Sequence, residues 1–189
     1  MFLQFIKRDL QALRKYLRHI LPAPQMDDEH PLRAEIFNFD QFKLHAGFLA
    51  ARHEVSFKKG REVLLSRLKD NEAIILRAYE LLNRTGSAKR RISPAGDWLL
   101  DNYYLIEEQI RRAQKFLPKG YSRELPNLIR GPLAGYPRVY DLAMEIVSHG
   151  DGRLDVKGLA GFVAAYQEIK HLKLGELWAV PIMIRLALI

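Results

Sequence analysis

Residues 93–118 read SPAGDWLLDNYYLIEEQIRRAQKFLP, and this stretch decides the fold class. Ser93 is a favoured helix N-cap, and Pro94 at the first helical position gives up no needed hydrogen bond. Behind them Leu99, Tyr103, Ile106, Ile110, Ala113 and Leu117 step by fours and threes, which places them in one stripe along a neighbouring helix. Pro118-Lys119-Gly120 ends the pattern.

The same period recurs on both sides. Downstream, Pro126, Gly131, Pro132 and Gly135 make residues 118–135 an irregular crossing, with a short helix expected near Leu125 to Ile129. Tyr136 to His149 reads as a helix through Val139, Leu142, Ala143, Ile146 and Val147, stopped by Gly150. Asp155 is expected to cap the next helix, whose buried side is Leu159, Val163 and Tyr166. Pro181 is expected to kink the last helix or to mark a new start.

Upstream, one helix is expected from about Gly60 to Arg84, with Leu64, Leu68, Ile75, Tyr79 and Leu82 on one side and Thr85 to Arg91 as the following loop. Another runs from Asp40, taken as its N-cap, to about Val55. Residues 1–21 form a basic amphipathic helix: Leu3, Ile6, Leu10, Leu13, Leu17 and Ile20 face one way. Residues 22–35, rich in proline and acid, are a connector, and residues 36–189 the main helical domain. No sustained period-two run and no flanked hairpin turn appear. The expected class is all-α, an irregular bundle of about six to eight helices without a substantial sheet.

Composition narrows the chemistry. The 189 residues contain no cysteine, which excludes disulfides, thiolate catalysis and cysteine-ligated zinc or iron–sulfur centres. The net charge of +8 is lopsided, since residues 1–92 hold nearly all of the basic excess. No basic run exceeds Lys89-Arg90-Arg91, so the charge reads as a solvated helical surface, and nucleic acid is not an expected partner. Charges at Lys7, Arg8, Arg14, Lys15 and Arg18 interrupt the first helix, which therefore lacks the continuous apolar centre of a secretory signal. An apolar stripe opposed by those five cations is also the pattern of a helix on an anionic lipid surface. Leu174 to Ile189 is apolar but falls short of the roughly 20 residues a spanning helix needs. It stops at Leu186-Ala-Leu-Ile189 without a cap, as a cut within a longer sequence would.

No constellation specifies a catalyst. Asp97, Asp101 and Glu108 share a helix face with Glu107 adjacent, but a helical di-metal site needs Glu-x-x-His pairs, and none is present. These acids read as solvated or arginine-paired. None of the six histidines forms His-x-x-x-His, and no metal or cofactor is expected. His45, beside Phe42 and Leu49, reads as a partly buried, hydrogen-bonded core residue. Asp151-Gly-Arg-Leu-Asp155 lacks the ligands of a calcium loop. Gly131-Pro-Leu-Ala-Gly135 lacks the Lys-Ser/Thr of a phosphate cradle, and no serine sits in Gly-x-Ser-x-Gly. Trp98, Tyr103 and Tyr104 read as core aromatics rather than a binding platform.

Several blocks carry a family resemblance. They are Trp98-Leu-Leu-Asp-Asn102, Glu107-Glu-Gln-Ile110, Leu117-Pro118, Gly120-Tyr121 and Arg123-Glu-Leu-Pro126, followed by Gly150-Asp-Gly-Arg-Leu-Asp155 and Leu174-Gly-Glu-Leu-Trp-Ala-Val-Pro-Ile182. Over residues 36–189 the chain resembles the N-terminal region of the bacterial cyclic β-1,2-glucan synthases and their close glycosyltransferase relatives. The resemblance implies a parent that builds β-1,2-linked glucose chains from UDP-glucose, with a helical region preceding membrane spans and catalytic domains. It further implies a location at the cytoplasmic face of the inner membrane, with the parent's other domains as partners.

These 189 residues lack the Asp-x-Asp and Gln-x-x-Arg-Trp signatures of the transferase. The matching residues Trp98, Asp101, Asn102, Glu107, Arg123 and Glu124 are therefore expected to make structural contacts, with Arg123 pairing to Glu107 or Asp101. The expected role is a non-catalytic domain that positions or regulates the transferase. The alternatives are a membrane-surface or partner-binding module built on residues 1–21, or a carbohydrate-binding helical domain.

Overall fold

The computed structural model describes residues 36–87, 92–150 and 155–189. The helix expected over residues 1–21, the connector 22–35 and the Lys89–Arg91 cluster lie outside the described residues. Seven helices and one minimal sheet are assigned among the rest. They are α1 (Phe39–Arg52), α2 (Leu64–Ser87), α3 (Pro94–Phe116), α4 (Tyr121–Glu124), α5 (Arg138–His149), α6 (Val156–Ile169) and α7 (Leu174–Leu188). Strands β1 (Val55–Ser56) and β2 (Asn127–Leu128) pair antiparallel, Val55 opposite Leu128. The all-α expectation holds.

Helix α5 lies at the centre because both of its sides are apolar. Val139, Tyr140, Ala143 and Val147 pack with α7 and with the roots of α2 and α3. Leu142 and Ile146 turn the other way, into a second cluster with Phe42, Ala46, Leu49 and Ala50 of α1 and Phe162, Ala165 and Tyr166 of α6. Helices α2 and α3 form a hairpin whose far end is closed by Ala78, Leu82 and Leu99, with Tyr79 stacked on Tyr103 at 4.1 Å. Gly96 permits that approach, since a Cβ there would lie 3.0 Å from the Leu82 side chain of α2.

Helix boundaries follow the local chemistry. Ser93 Oγ accepts the Gly96 N–H at 3.2 Å, and Asp155 Oδ1 accepts that of Gly158 at 2.6 Å, as expected. The cap of α1 is Asn38 rather than Asp40. Its Oδ1 accepts the Gln41 N–H at 2.9 Å while Gln41 Oε1 accepts the Asn38 N–H at 3.0 Å, a reciprocal capping box.

Helix α2 starts four residues later than expected because the segment before it is held by the crossing. The Gly60 N–H bonds to the Arg123 carbonyl at 2.8 Å, and the Glu62 carboxylate accepts the Gly120 N–H at 2.8 Å and the Ser122 hydroxyl. At its other end α2 continues through Ser87, so the loop expected from Thr85 begins later.

In the crossing, the short helix precedes the expected place. Leu125 is extended ahead of Pro126 (ψ 146), as the residue before a proline prefers, and β2 follows. Gly120, Gly131 and Gly135 supply left-handed turns at φ 92, 96 and 85. Helix α5 begins at Arg138 because Pro137 occupies its N-cap. Helix α7 runs through Pro181 as one element, held on α5 by the buried Ala179, Val180, Ile182 and Met183. Among the described residues no helix is long and apolar enough to cross a membrane.

Candidate functional site

Helix α5 reads RVYDLAMEIVSH, and its acidic, basic and histidine side chains Arg138, Asp141, Glu145 and His149 recur at spacings of three, four and four. That period puts them on one face of an otherwise apolar helix. Each meets a partner on another element or along the helix, and the result is a polar seam through the two cores.

At the N-terminal end, Arg138 and Glu176 of α7 are fully buried and paired in fork geometry. Arg138 Nε and Nη2 donate to Glu176 Oε1 and Oε2 at 2.6 and 2.7 Å. Nη2 also donates to the His171 carbonyl at 2.8 Å, and Glu176 Oε2 accepts the Lys173 N–H at the start of α7, at 2.9 Å. Burial lowers the Arg138 pKa, but the hydrogen bonds and charge of Glu176 outweigh it and leave the guanidinium above its ordinary value. The guanidinium carbon lies 5.9 Å from the Tyr166 ring centre. Tyr166 Oη and His53 Nδ1 are 2.9 Å apart, and His53 Nε2 lies 2.8 Å from Asp141 Oδ2. Lys170 donates to the His53 carbonyl. Burial pushes the Tyr166 phenol up to about 12, against the opposing pull of Arg138. At neutral pH the phenol keeps its proton.

At the other end, Glu145 Oε2 stands between two imidazoles, 2.7 Å from His45 Nε2 and 3.2 Å from His149 Nε2. His45 comes from α1, so this group joins α1 to α5. Burial raises the Glu145 pKa, but the hydrogen bonds and charges of His45 and His149 outweigh it, and the net shift is downward. Phe37 stacks flat on His149, with ring centres 4.0 Å apart and planes 7° from parallel, which fixes that ring. His45 is the partly buried, hydrogen-bonded residue the sequence predicts; its glutamate partner was not predicted.

The residues singled out by sequence do not converge. Asn102 Nδ2 bonds to the Trp98 carbonyl at 2.8 Å, one turn back on α3. Glu107 pairs with Arg111 at 2.8 Å and Glu108 with Arg112 at 2.5 Å, while Asp97 and Asp101 are exposed, so that face is solvated or arginine-paired as expected. The anticipated bond from Arg123 to Glu107 or Asp101 is not formed. Glu107 is taken by Arg111 within its own helix, and Arg123 is exposed and engages Gly60 through its carbonyl. Glu124 pairs with Lys59 at the surface. Trp98 and Tyr103 are half-buried, but Tyr104 is exposed, against the core reading for that residue. Lys7, Arg8, Arg14, Lys15 and Arg18 lie outside the described residues. The seam residues Arg138, Asp141, Glu145, Tyr166 and Glu176 were not identified as a site. Their one sequence signal is the recurrence of polar groups every third or fourth residue inside an apolar helical run.

No family model matches the chain. Among curated proteins it is similar to the cyclic β-(1,2)-glucan synthase NdvB of Rhizobium meliloti strain 1021, at 32% identity over 176 residues. The match covers 88% of this chain and 6% of that protein. Coverage of that extent exceeds what residues 36–189 alone supply, so the similarity begins earlier than the residue near 36 from which the resemblance is read.

Proposed function

We propose that this chain is a non-catalytic helical domain of a cyclic β-(1,2)-glucan synthase-like membrane glycosyltransferase, one that positions or regulates the transferase from the cytoplasmic face of the membrane. The observation that carries the reading is the similarity of most of the chain to a small part of such a synthase. The side-chain chemistry supports it: the buried ionisable groups of the seam are hydrogen-bonded to one another. On the outward side of α7, Leu174, Trp178 and Leu188 are large apolar residues left exposed, Trp178 by 77%. That stripe is the surface on which the domain meets the remainder of its parent. Lys7, Arg8, Arg14, Lys15 and Arg18 provide contact with anionic lipid, testable by salt-sensitive flotation with anionic vesicles.

The purified chain is expected to leave UDP-glucose intact and to form no glucan. Trp178→Asp, introduced in the native gene, is expected to reduce glucan output while the purified variant keeps its melting temperature. Sugar-nucleotide turnover by the purified chain overturns the non-catalytic reading. Unchanged glucan output in the Trp178 variant overturns the positioning role.

A further inference from the structure

The group at the junction of α1 and α5 has the composition and spacing of a cation site. Its three candidate ligand atoms, one each from His45, Glu145 and His149, all lie within 4.8 Å of one another. Zinc bonds to histidine nitrogen and carboxylate oxygen are about 2.0–2.2 Å long, so neighbouring ligands of a tetrahedral ion stand roughly 3.3 Å apart. The two short edges here are 2.7 and 3.2 Å. Bringing all three ligands to one ion needs a side-chain adjustment of about 1 Å or less.

Three further features distinguish the group from a chance encounter of polar side chains. Glu145 and His149 are four residues apart on α5, the spacing that aims two ligands to one side of a helix, and the third ligand comes from a different helix packed against it. Phe37 holds the His149 ring in place, so less order is lost on binding. The histidine and glutamate side chains are 11 to 27% exposed, so the group is in contact with solvent.

We propose that His45, Glu145 and His149 form a mononuclear site for a divalent transition metal of the zinc type, with water completing the coordination. Two imidazoles and one carboxylate favour such an ion over magnesium or calcium, which prefer all-oxygen shells. Metal takes the place of the close contacts that otherwise join the three side chains. The ion clamps α1, and with it the α1–α6 pair, onto the central helix.

The test uses the full chain freed of metal by chelation, titrated calorimetrically with zinc chloride and spectroscopically with cobalt chloride. One equivalent is expected to bind, with no competition from millimolar magnesium. Glu145→Gln and His149→Asn are each expected to weaken zinc by more than the roughly 10–100-fold that loss of an outer-shell partner causes. His171→Gln, altering an exposed ring elsewhere, is expected to change nothing. In the wild-type chain, imidazole NMR resonances of His45 and His149 are expected to shift with zinc while those of His53 stay in place, a readout independent of whether the variants fold. The proposal is overturned by the absence of saturable binding, by binding that survives Glu145→Gln, or by shifts spread over all the histidines.

Discussion

Replacing Glu176 with glutamine tests the seam at its most buried point. The carboxylate is wholly inaccessible, accepts two bonds from Arg138 at 2.6 and 2.7 Å, and also accepts the N–H that opens α7. Glutamine keeps the volume but presents an NH2 to a guanidinium that only donates. A buried cation is then left facing the His171 carbonyl and the Tyr166 ring. Breaking a buried pair from one side costs about 3–5 kcal/mol, a large part of the roughly 5–15 kcal/mol that holds a domain folded. For a chain of this size the melting temperature should fall by roughly 6–20 °C. Urea denaturation followed by circular dichroism measures the loss. Two companions isolate its cause. Glu107→Gln, in an exposed pair, should cost about 0–1 kcal/mol. The double change Arg138→Met with Glu176→Leu removes both charges together and should return to within about 2 kcal/mol of wild type. A single Glu176 variant as stable as the Glu107 variant would refute the reasoning. So would a double variant no better than the single one.

Tyr166→Phe leaves the His53 ring nitrogen buried without its partner and should cost about 1–3 kcal/mol. In wild type, alkaline ultraviolet titration should find one phenol ionising near 12. Because that pKa lies above the unfolded value near 10, its contribution to stability is present below pH 10 and is lost as pH rises through 12. Glu145 has the opposite sign: its folded pKa is depressed, so its contribution is present above the unfolded value near 4.5 and is lost as pH falls through the lower folded one. The stability gap between wild type and Glu145→Gln, measured by urea melts, should therefore narrow from pH 6 to pH 3. Gly96→Ala pushes a Cβ to 2.5 Å from Ile92 and 3.0 Å from Leu82 and should cost about 1–3 kcal/mol. Gly175→Ala, where a Cβ would lie 3.8 Å from the Tyr121 hydroxyl, should instead stabilise by about 0.5–1 kcal/mol; thermal melts of the two decide.

Helices were legible wherever one stripe of apolar residues faces one neighbour. On α3 the predicted stripe is the observed one, with Leu99, Ile110, Ala113 and Leu117 buried, because a hairpin partner on one side produces a clean 3.6-residue period. The boundaries that shifted are those set by contacts distant in sequence. Residues 61–63 carry no helix breaker, yet Gly60 and Glu62 are taken up by Arg123, Gly120 and Ser122. The small sheet is of the same kind: β1 and β2 are two residues each and lie some seventy positions apart, too short to leave a period-two trace.

The seam escaped for a different reason. A charge on a helix is ordinarily read as marking the side that faces water, and Arg138 and Asp141 at the start of α5 fit the expected exposed face of an amphipathic helix. That inference fails for a helix packed on two sides, because it has little watered face and its polar residues must find partners inside. The sequence offers a way to tell the cases apart. In α5 the residues between these positions are apolar apart from Ser148, and the buried ones, Val139, Tyr140, Leu142, Ala143, Ile146 and Val147, span more of the circumference than one neighbour can cover. When an apolar arc is that wide, the remaining polar stripe lies at a junction between packed helices, and its members should be sought as partners of titratable residues elsewhere. His45, His53, Tyr166 and Glu176 are the residues such a search recovers, and they come from the helices that surround α5 or, for His53, from the cap of α1.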